Sequence, residues 1–136
     1  MKSDKWSLIA VSCIIVLLVI TLLHVVDRTE ANFTELYFEN PEALPSEIEL
    51  GETYEFSFSI TNNLETTNTY TYDVYIEFDD GEDIGELGSS SITLEDSSKA
   101  IIKESFVISQ NFDSAKVIID LDSGETIYFW ISTSQD

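Results

Sequence analysis

In Thr53-Tyr54-Glu55-Phe56-Ser57-Phe58-Ser59-Ile60-Thr61-Asn62, apolar and polar residues alternate without a break as far as Thr61. Successive strand residues point to opposite faces, so Tyr54, Phe56, Phe58 and Ile60 share one face and Glu55, Ser57, Ser59 and Thr61 the other. That pattern suits a sheet with one buried and one wet face. Asn63 to Asn68 reads as a polar loop. Beyond it Tyr70, Tyr72, Val74, Ile76 and Phe78 line one face of a second long strand, opposite Thr71, Asp73, Glu77 and Asp79.

Outward from this pair the same period recurs. Phe33 to Glu39 reads as a first strand, broken by Asn40-Pro41-Glu42-Ala43-Leu44-Pro45. Proline disrupts strand pairing, so both prolines mark an interruption. Glu47 to Glu52 is a short extended piece ending in a turn. Asp79 to Gly88 reads as an acidic, glycine-containing loop, followed by a short strand over Ser91 to Glu95. Lys99 to Ser109 holds a less regular strand. Glu104 falls in phase with Ile102 and Phe106 there, which calls for a bulge or an edge position. Ala115, Val117, Ile119 and Leu121 form the next buried face. Asp122-Ser123-Gly124-Glu125 is a hairpin turn. Ile127, Phe129 and Ile131 then point inward, while Tyr128 and Trp130 point the other way. The expectation is an all-β, immunoglobulin-like β-sandwich of seven to eight strands over residues 33–136.

A different stretch precedes this domain. Trp6 to Val26 contains no Asp, Glu, Lys or Arg. As a helix it would be roughly 30 Å long, the thickness of a bilayer's hydrocarbon core. A cleavable signal has only about 7–15 apolar residues and a small-residue cleavage site. This run is longer and ends Leu22-Leu23-His24-Val25-Val26, so a retained anchor is expected. Ala10-Val11-Ser12-Cys13 superficially resembles a lipoprotein cleavage box, but the apolar run continues beyond it. His24 sits at the outer end, where it can reach interfacial water. Lys2 and Lys5 would keep residues 1–5 inside, with 6–26 spanning the bilayer, 27–32 as a stem and the domain outside.

Charge restricts function further. The net charge is −20, and of the acids only Asp4 precedes the apolar run. Against them beyond the run stand Arg28, Lys99, Lys103 and Lys116. Nucleic-acid binding needs a cationic surface and is excluded. The one cysteine, Cys13, allows no intrachain disulfide, so the domain must rely on its core.

Phe33-Thr34-Glu35-Leu36-Tyr37-Phe38, Leu44-Pro45-Ser46-Glu47-Ile48, Leu50-Gly51-Glu52, Phe58-Ser59-Ile60-Thr61-Asn62-Asn63 and Tyr70-Thr71-Tyr72 carry a resemblance. Together they resemble the extracytoplasmic immunoglobulin-like segment of a family of archaeal membrane proteins of unknown function. It covers about residues 33–78. Fuller members have several membrane helices where this chain has one apolar run. The resemblance implies a fold and an archaeal surface location, and no activity.

Catalysis needs a positioned nucleophile, base or metal. The only His and Cys lie within the apolar run, which removes Ser–His, Cys–His and zinc constellations from the domain. No enzyme activity and no cofactor are expected. Asp79, Asp80, Glu82 and Asp83 supply hard oxygen ligands suited to calcium, but without EF-hand spacing, so a solvated acidic loop is the expectation. Asp120 and Asp122 would join them only if the fold brought them near. Asn32-Phe33-Thr34 fits the N-glycosylation sequon, making Asn32 a candidate acceptor. The expected role is a membrane-anchored extracytoplasmic module that binds a protein partner. A structural spacer of the cell envelope is the alternative.

Overall fold

The computed structural model describes residues 11–21, 32–81 and 83–134. The chain divides into two units, Met1–Ala31 and Asn32–Asp136. In the first, residues 11–21 are helical. The remainder of the expected 6–26 span lies outside the described residues. Among the described residues no helix is long and apolar enough to cross a membrane.

The second unit holds eight strands: β1 (Phe33–Phe38), β2 (Glu47–Ile48), β3 (Thr53–Asn63), β4 (Asn68–Phe78), β5 (Asp83–Leu94), β6 (Ser98–Val107), β7 (Ser114–Leu121) and β8 (Thr126–Thr133). They form two sheets, ordered β1-β3-β6 and β2-β8-β7-β4-β5. One apolar core lies between them, drawing Phe56, Phe58 and Ile60 from one sheet and Tyr72, Val74, Ile76, Val117 and Ile119 from the other. This is the layering of a β-sandwich. Rings close the gap: Phe58 meets Tyr72 edge-on at 5.3 Å between centroids, and Phe56 meets Phe129 at 5.4 Å.

The two prolines act where the chain changes sheet. β1 pairs antiparallel with β3 and stops at Phe38. A 3₁₀ turn over Pro41–Ala43 follows. β2 then pairs parallel with β8, but only at Glu47–Ser132 and Ile48–Thr133. Pro45 has no N–H to extend that pairing backward.

Two local expectations, at residues 83–88 and at Ser59, need correction, and of the two alternatives at Glu104 the edge position holds. Residues 83–88 are strand, not loop, because β5 runs the length of β4. Its register shifts between Val74 and Tyr75, and the extra residue, Leu87, packs against the core. Gly85 makes the close approach possible, since a Cβ there would lie 3.0 Å from Ile76 Cγ2. Glu104 causes no bulge: the β3–β6 register is continuous from Thr53–Val107 to Asn62–Ser98. β6 is instead a sheet edge, and Glu104 turns inward to accept a hydrogen bond from the Tyr72 hydroxyl at 3.2 Å. Burial, above all, raises the pKa of that hydroxyl, and the Glu104 charge adds to it. Ser59, on the nominally wet face of β3, is fully buried, and its hydroxyl donates to Glu39.

The end of β3 carries the densest polar contact of the domain. Asn62 is fully buried. Its Nδ2 donates to the carbonyls of Thr66 (2.7 Å), Leu94 (2.9 Å) and Glu95 (3.2 Å). Its Oδ1 accepts from the Leu64 N–H at 3.2 Å and the Tyr70 hydroxyl at 3.1 Å. Tyr70 in turn meets Thr34 Oγ1 of β1 at 3.0 Å.

Two stability predictions follow from these placements. Phe56→Ala should cost about 3–5 kcal/mol and Glu55→Ala under about 0.5 kcal/mol; equal shifts in urea melts would show the register to be wrong. Asn62→Ala should cost about 2 kcal/mol or more, by leaving buried carbonyls and a hydroxyl unpaired. Asn62→Asp should be worse at neutral pH, because it sets a carboxylate oxygen against those carbonyls. An Asp variant as stable as wild type in the same melts would remove Asn62 from this role.

Candidate functional site

The outward face of the five-stranded sheet gathers an aromatic patch. β8 presents Tyr128 and Trp130, each just over half exposed. Strand alternation puts them outward because Ile127, Phe129 and Ile131 turn into the core. The register sets Trp130 beside Lys116 of β7 and Tyr128 beside Ile118. It then continues to Glu77 and Tyr75 of β4. The two rings meet edge-on, centroids 6.4 Å apart and planes at 88°.

Lys116 sits over both. Its Nζ lies 4.9 Å from the Trp130 ring centre and 5.2 Å from that of Tyr128. It also pairs with Glu77 Oε1 at 3.5 Å. The rings and the carboxylate together hold an ammonium group by ring quadrupole and charge. Burial, first, and then the charges of Asp120 and Glu77 raise the pKa of the neighbouring Tyr75 hydroxyl. Ile118, though outward, is almost wholly covered.

A smaller arrangement of the same kind lies on the other sheet's outer face. Lys99 is paired with Glu39 at 2.5 Å and lies 4.9 Å from the Tyr37 ring centre. The hydrogen bond from Lys99, and then that from Ser59, holds the Glu39 carboxyl below its ordinary pKa. The hydrogen bond to Glu39, and then that to Tyr37, raises the pKa of Lys99.

The acidic loop is arranged differently from the aromatic patch. Asp79 adopts positive φ (39°), and its Oδ1 accepts from the N–H groups of Asp113 and Ser114, both at 3.1 Å. It therefore ties the β4–β5 turn to the start of β7. It borders an open cleft of about 730 Å³ with Glu49 and Asp113. Glu82 lies outside the described residues, and only the backbone of Asp80 and Asp83 is described. Among the described residues no group of three or more His, Cys, Asp or Glu is placed to hold a metal ion. Asp120 does not join this loop. It pairs with Asp73, six residues back along β4 from Asp79, about 20 Å away at strand rise. Its carboxylate accepts from Thr126 Oγ1 at 2.5 Å. Asn32 is exposed immediately before β1.

Tyr128 and Trp130 were legible as outward aromatics. Their convergence with Lys116 and Glu77 was not, because it depends on how β8, β7 and β4 align. The usable signal is two large aromatics at i and i+2 on the wet side of a strand.

No family model and no curated protein matches the chain. Solved structures match in fold. The CARDB domain of a Pyrococcus furiosus protein, an immunoglobulin-like domain known from solution NMR, aligns at TM-score 0.58 and 13% identity, covering 78% of this chain and 100% of that one. A β-glucosidase from Listeria innocua in complex with glucose aligns at TM-score 0.62 and 13% identity, over 76% of this chain. The match spans only 16% of the glucosidase. An alkylpurine DNA glycosylase from Pseudomonas fluorescens bound to DNA aligns at 0.57 and 14% identity, over 77% of this chain and 31% of that one. At these identities the likeness is one of fold.

The Glu39–Lys99 pair yields a pH prediction. A lowered carboxyl pKa contributes stability above the ordinary glutamate range, and loses it as pH falls through the lowered value. A raised lysine pKa contributes below the ordinary lysine range, and loses it as pH rises through the raised value. Glu39→Gln should therefore flatten both the acid and the alkaline limbs of stability against pH. Unchanged limbs in denaturant melts across pH would show that water screens the pair completely.

Proposed function

We propose that this chain is a non-enzymatic, membrane-anchored extracytoplasmic module that binds another protein, such as a subunit of a membrane complex. The observation that carries the binding role is the Tyr128–Trp130 patch, a concentrated apolar surface on a strongly acidic domain. Aromatic side chains supply large, rigid contact area and are enriched where proteins meet. The lack of any His or Cys within the domain favours binding over catalysis.

The anchor is supported by residues 11–21, which are helical and apolar except for Ser12 and Thr21. Thr21 Oγ1 is bonded within the helix, to the carbonyls of Leu17 (3.0 Å) and Leu18 (2.9 Å). A hydroxyl satisfied inside its own helix suits a hydrocarbon environment. The immunoglobulin-like assignment of the sandwich rests on its likeness to the CARDB domain.

The expected outcome is that gentle detergent extraction of the full chain recovers a stoichiometric protein partner. Tyr128→Ser combined with Trp130→Ser should abolish that recovery while leaving the domain folded, at a cost of about 1–3 kcal/mol, since each side chain is just over half exposed. Recovery of an abundant, partner-free protein would favour the envelope-spacer reading.

A further inference from the structure

The sheets end at β1 and β6, and at β5 and the two-residue β2, beside which most of β8 is left unpaired. β6 carries Lys99 and Lys103 on its outward face. β5 is bulged opposite Val74–Tyr75. β1 is six residues long and carries Glu35. Charge, bulges and shortness are the devices that stop an edge from pairing with a foreign strand. β8 carries neither a charge nor a bulge. Residues 126–133 contain no charged side chain. β2 pairs only with Ser132 and Thr133, which leaves Thr126 to Ile131 without a hydrogen-bonded strand on that side among the described residues, although β1 of the other sheet packs close to β8.

The direction of the free groups is fixed by the bonds β8 already makes. The Ser132 N–H donates to the Ser46 carbonyl at 2.9 Å, and the Ser134 N–H to the Ile48 carbonyl at 3.1 Å. Alternate residues point the same way. The N–H and C=O groups of Tyr128 and Trp130 therefore face the same open side. These two residues also bear the exposed rings, so one extended segment could engage backbone and aromatic patch together.

Charge selects the occupant. A second copy of this chain would bring another net charge of −20 to the same edge and is repelled. Around the rings lie Glu77 and Asp120. Lys116 lies over the rings and is neutralised by Glu77, so the acidic charge left to draw a cation to the free ring edges is that of Asp120 and of the domain as a whole. Resting on the binding role proposed above, we infer that the β8 edge accepts an extended, cationic strand of a partner protein, with Lys or Arg at alternate positions reaching the Tyr128–Trp130 face. This is strand addition, in which main-chain bonds give affinity and alternate side chains give selectivity.

The test uses the full chain in detergent micelles and a short peptide alternating Lys with Val. Amide hydrogen exchange is read residue by residue. On peptide binding, the Tyr128 and Trp130 amides should slow by about tenfold or more. A peptide with Glu in place of Lys should give no slowing. Trp130→Lys, which adds a guarding charge at an exposed position, should abolish the protection. Slowing at β5 or β6 instead would overturn the inference. So would equal protection by a peptide of the same composition with its lysines clustered at one end. If the Tyr128/Trp130 double variant loses its partner but these amides are never protected, the binding role stands and strand addition fails. If that variant keeps its partner, the aromatic face itself is not the binding site.

Discussion

The buried amide of Asn62 is the contact on which the two sheets depend for their mutual registration. A core of Phe, Ile and Val is non-directional and tolerates sliding, whereas hydrogen bonds do not. Asn62 belongs to the three-stranded sheet, yet its amide reaches the Leu94 carbonyl at the end of β5 in the other sheet. Through Tyr70 it also engages β4 and, beyond that, Thr34 of β1. Four strands are thus indexed by one side chain. Every donor and acceptor of that amide is used, which is the condition under which a buried polar group adds order without leaving an unpaired cost.

Most of the layering was legible in the sequence, because the strands that matter alternate cleanly. The inward faces of β3, β4 and β7 are those the period assigns. The edge position of β6 was signalled by Glu104. What escaped depends on pairing between strands. The segment 83–88 looks like a loop since Gly85, Glu86 and Gly88 are poor strand formers. The long β4 edge overrides that preference by supplying partners for its backbone. Ser59 and Ile118 sit on faces that the period marks as wet, and neighbouring strands cover both. Asn62 reads as the polar end of a strand, and only the fold shows it enclosed.

The candidate site follows the same division. Outward aromatics can be read one strand at a time. A cation held between Trp130, Tyr128 and Glu77 cannot, because it joins three strands. The acidic loop showed the opposite tendency: its composition suggested ligand chemistry, while Asp79 spends its carboxylate on the backbone of Asp113 and Ser114. Lys99 and Lys116 each lie against both a carboxylate and a ring. On so acidic a domain these scarce cations are drawn into the fold's own surface and leave little positive charge to offer outside.

The sheet change made by the proline segment has a kinetic consequence. β2 joins β8 across a great sequence distance: Ser46 and Ser132, in contact at that junction, are 86 residues apart. Loop-closure entropy makes such remote pairings the slow part of assembling a β-fold. The β4–β5 and β7–β8 hairpins can form locally, whereas the seam between β2 and β8 must wait for both ends of the domain to meet. With only two residue pairs, that seam is also the shortest among the described residues. It is where opening would begin, and a strand laid along β8 would act there as a latch, slowing the domain's unzipping from its most weakly sewn side.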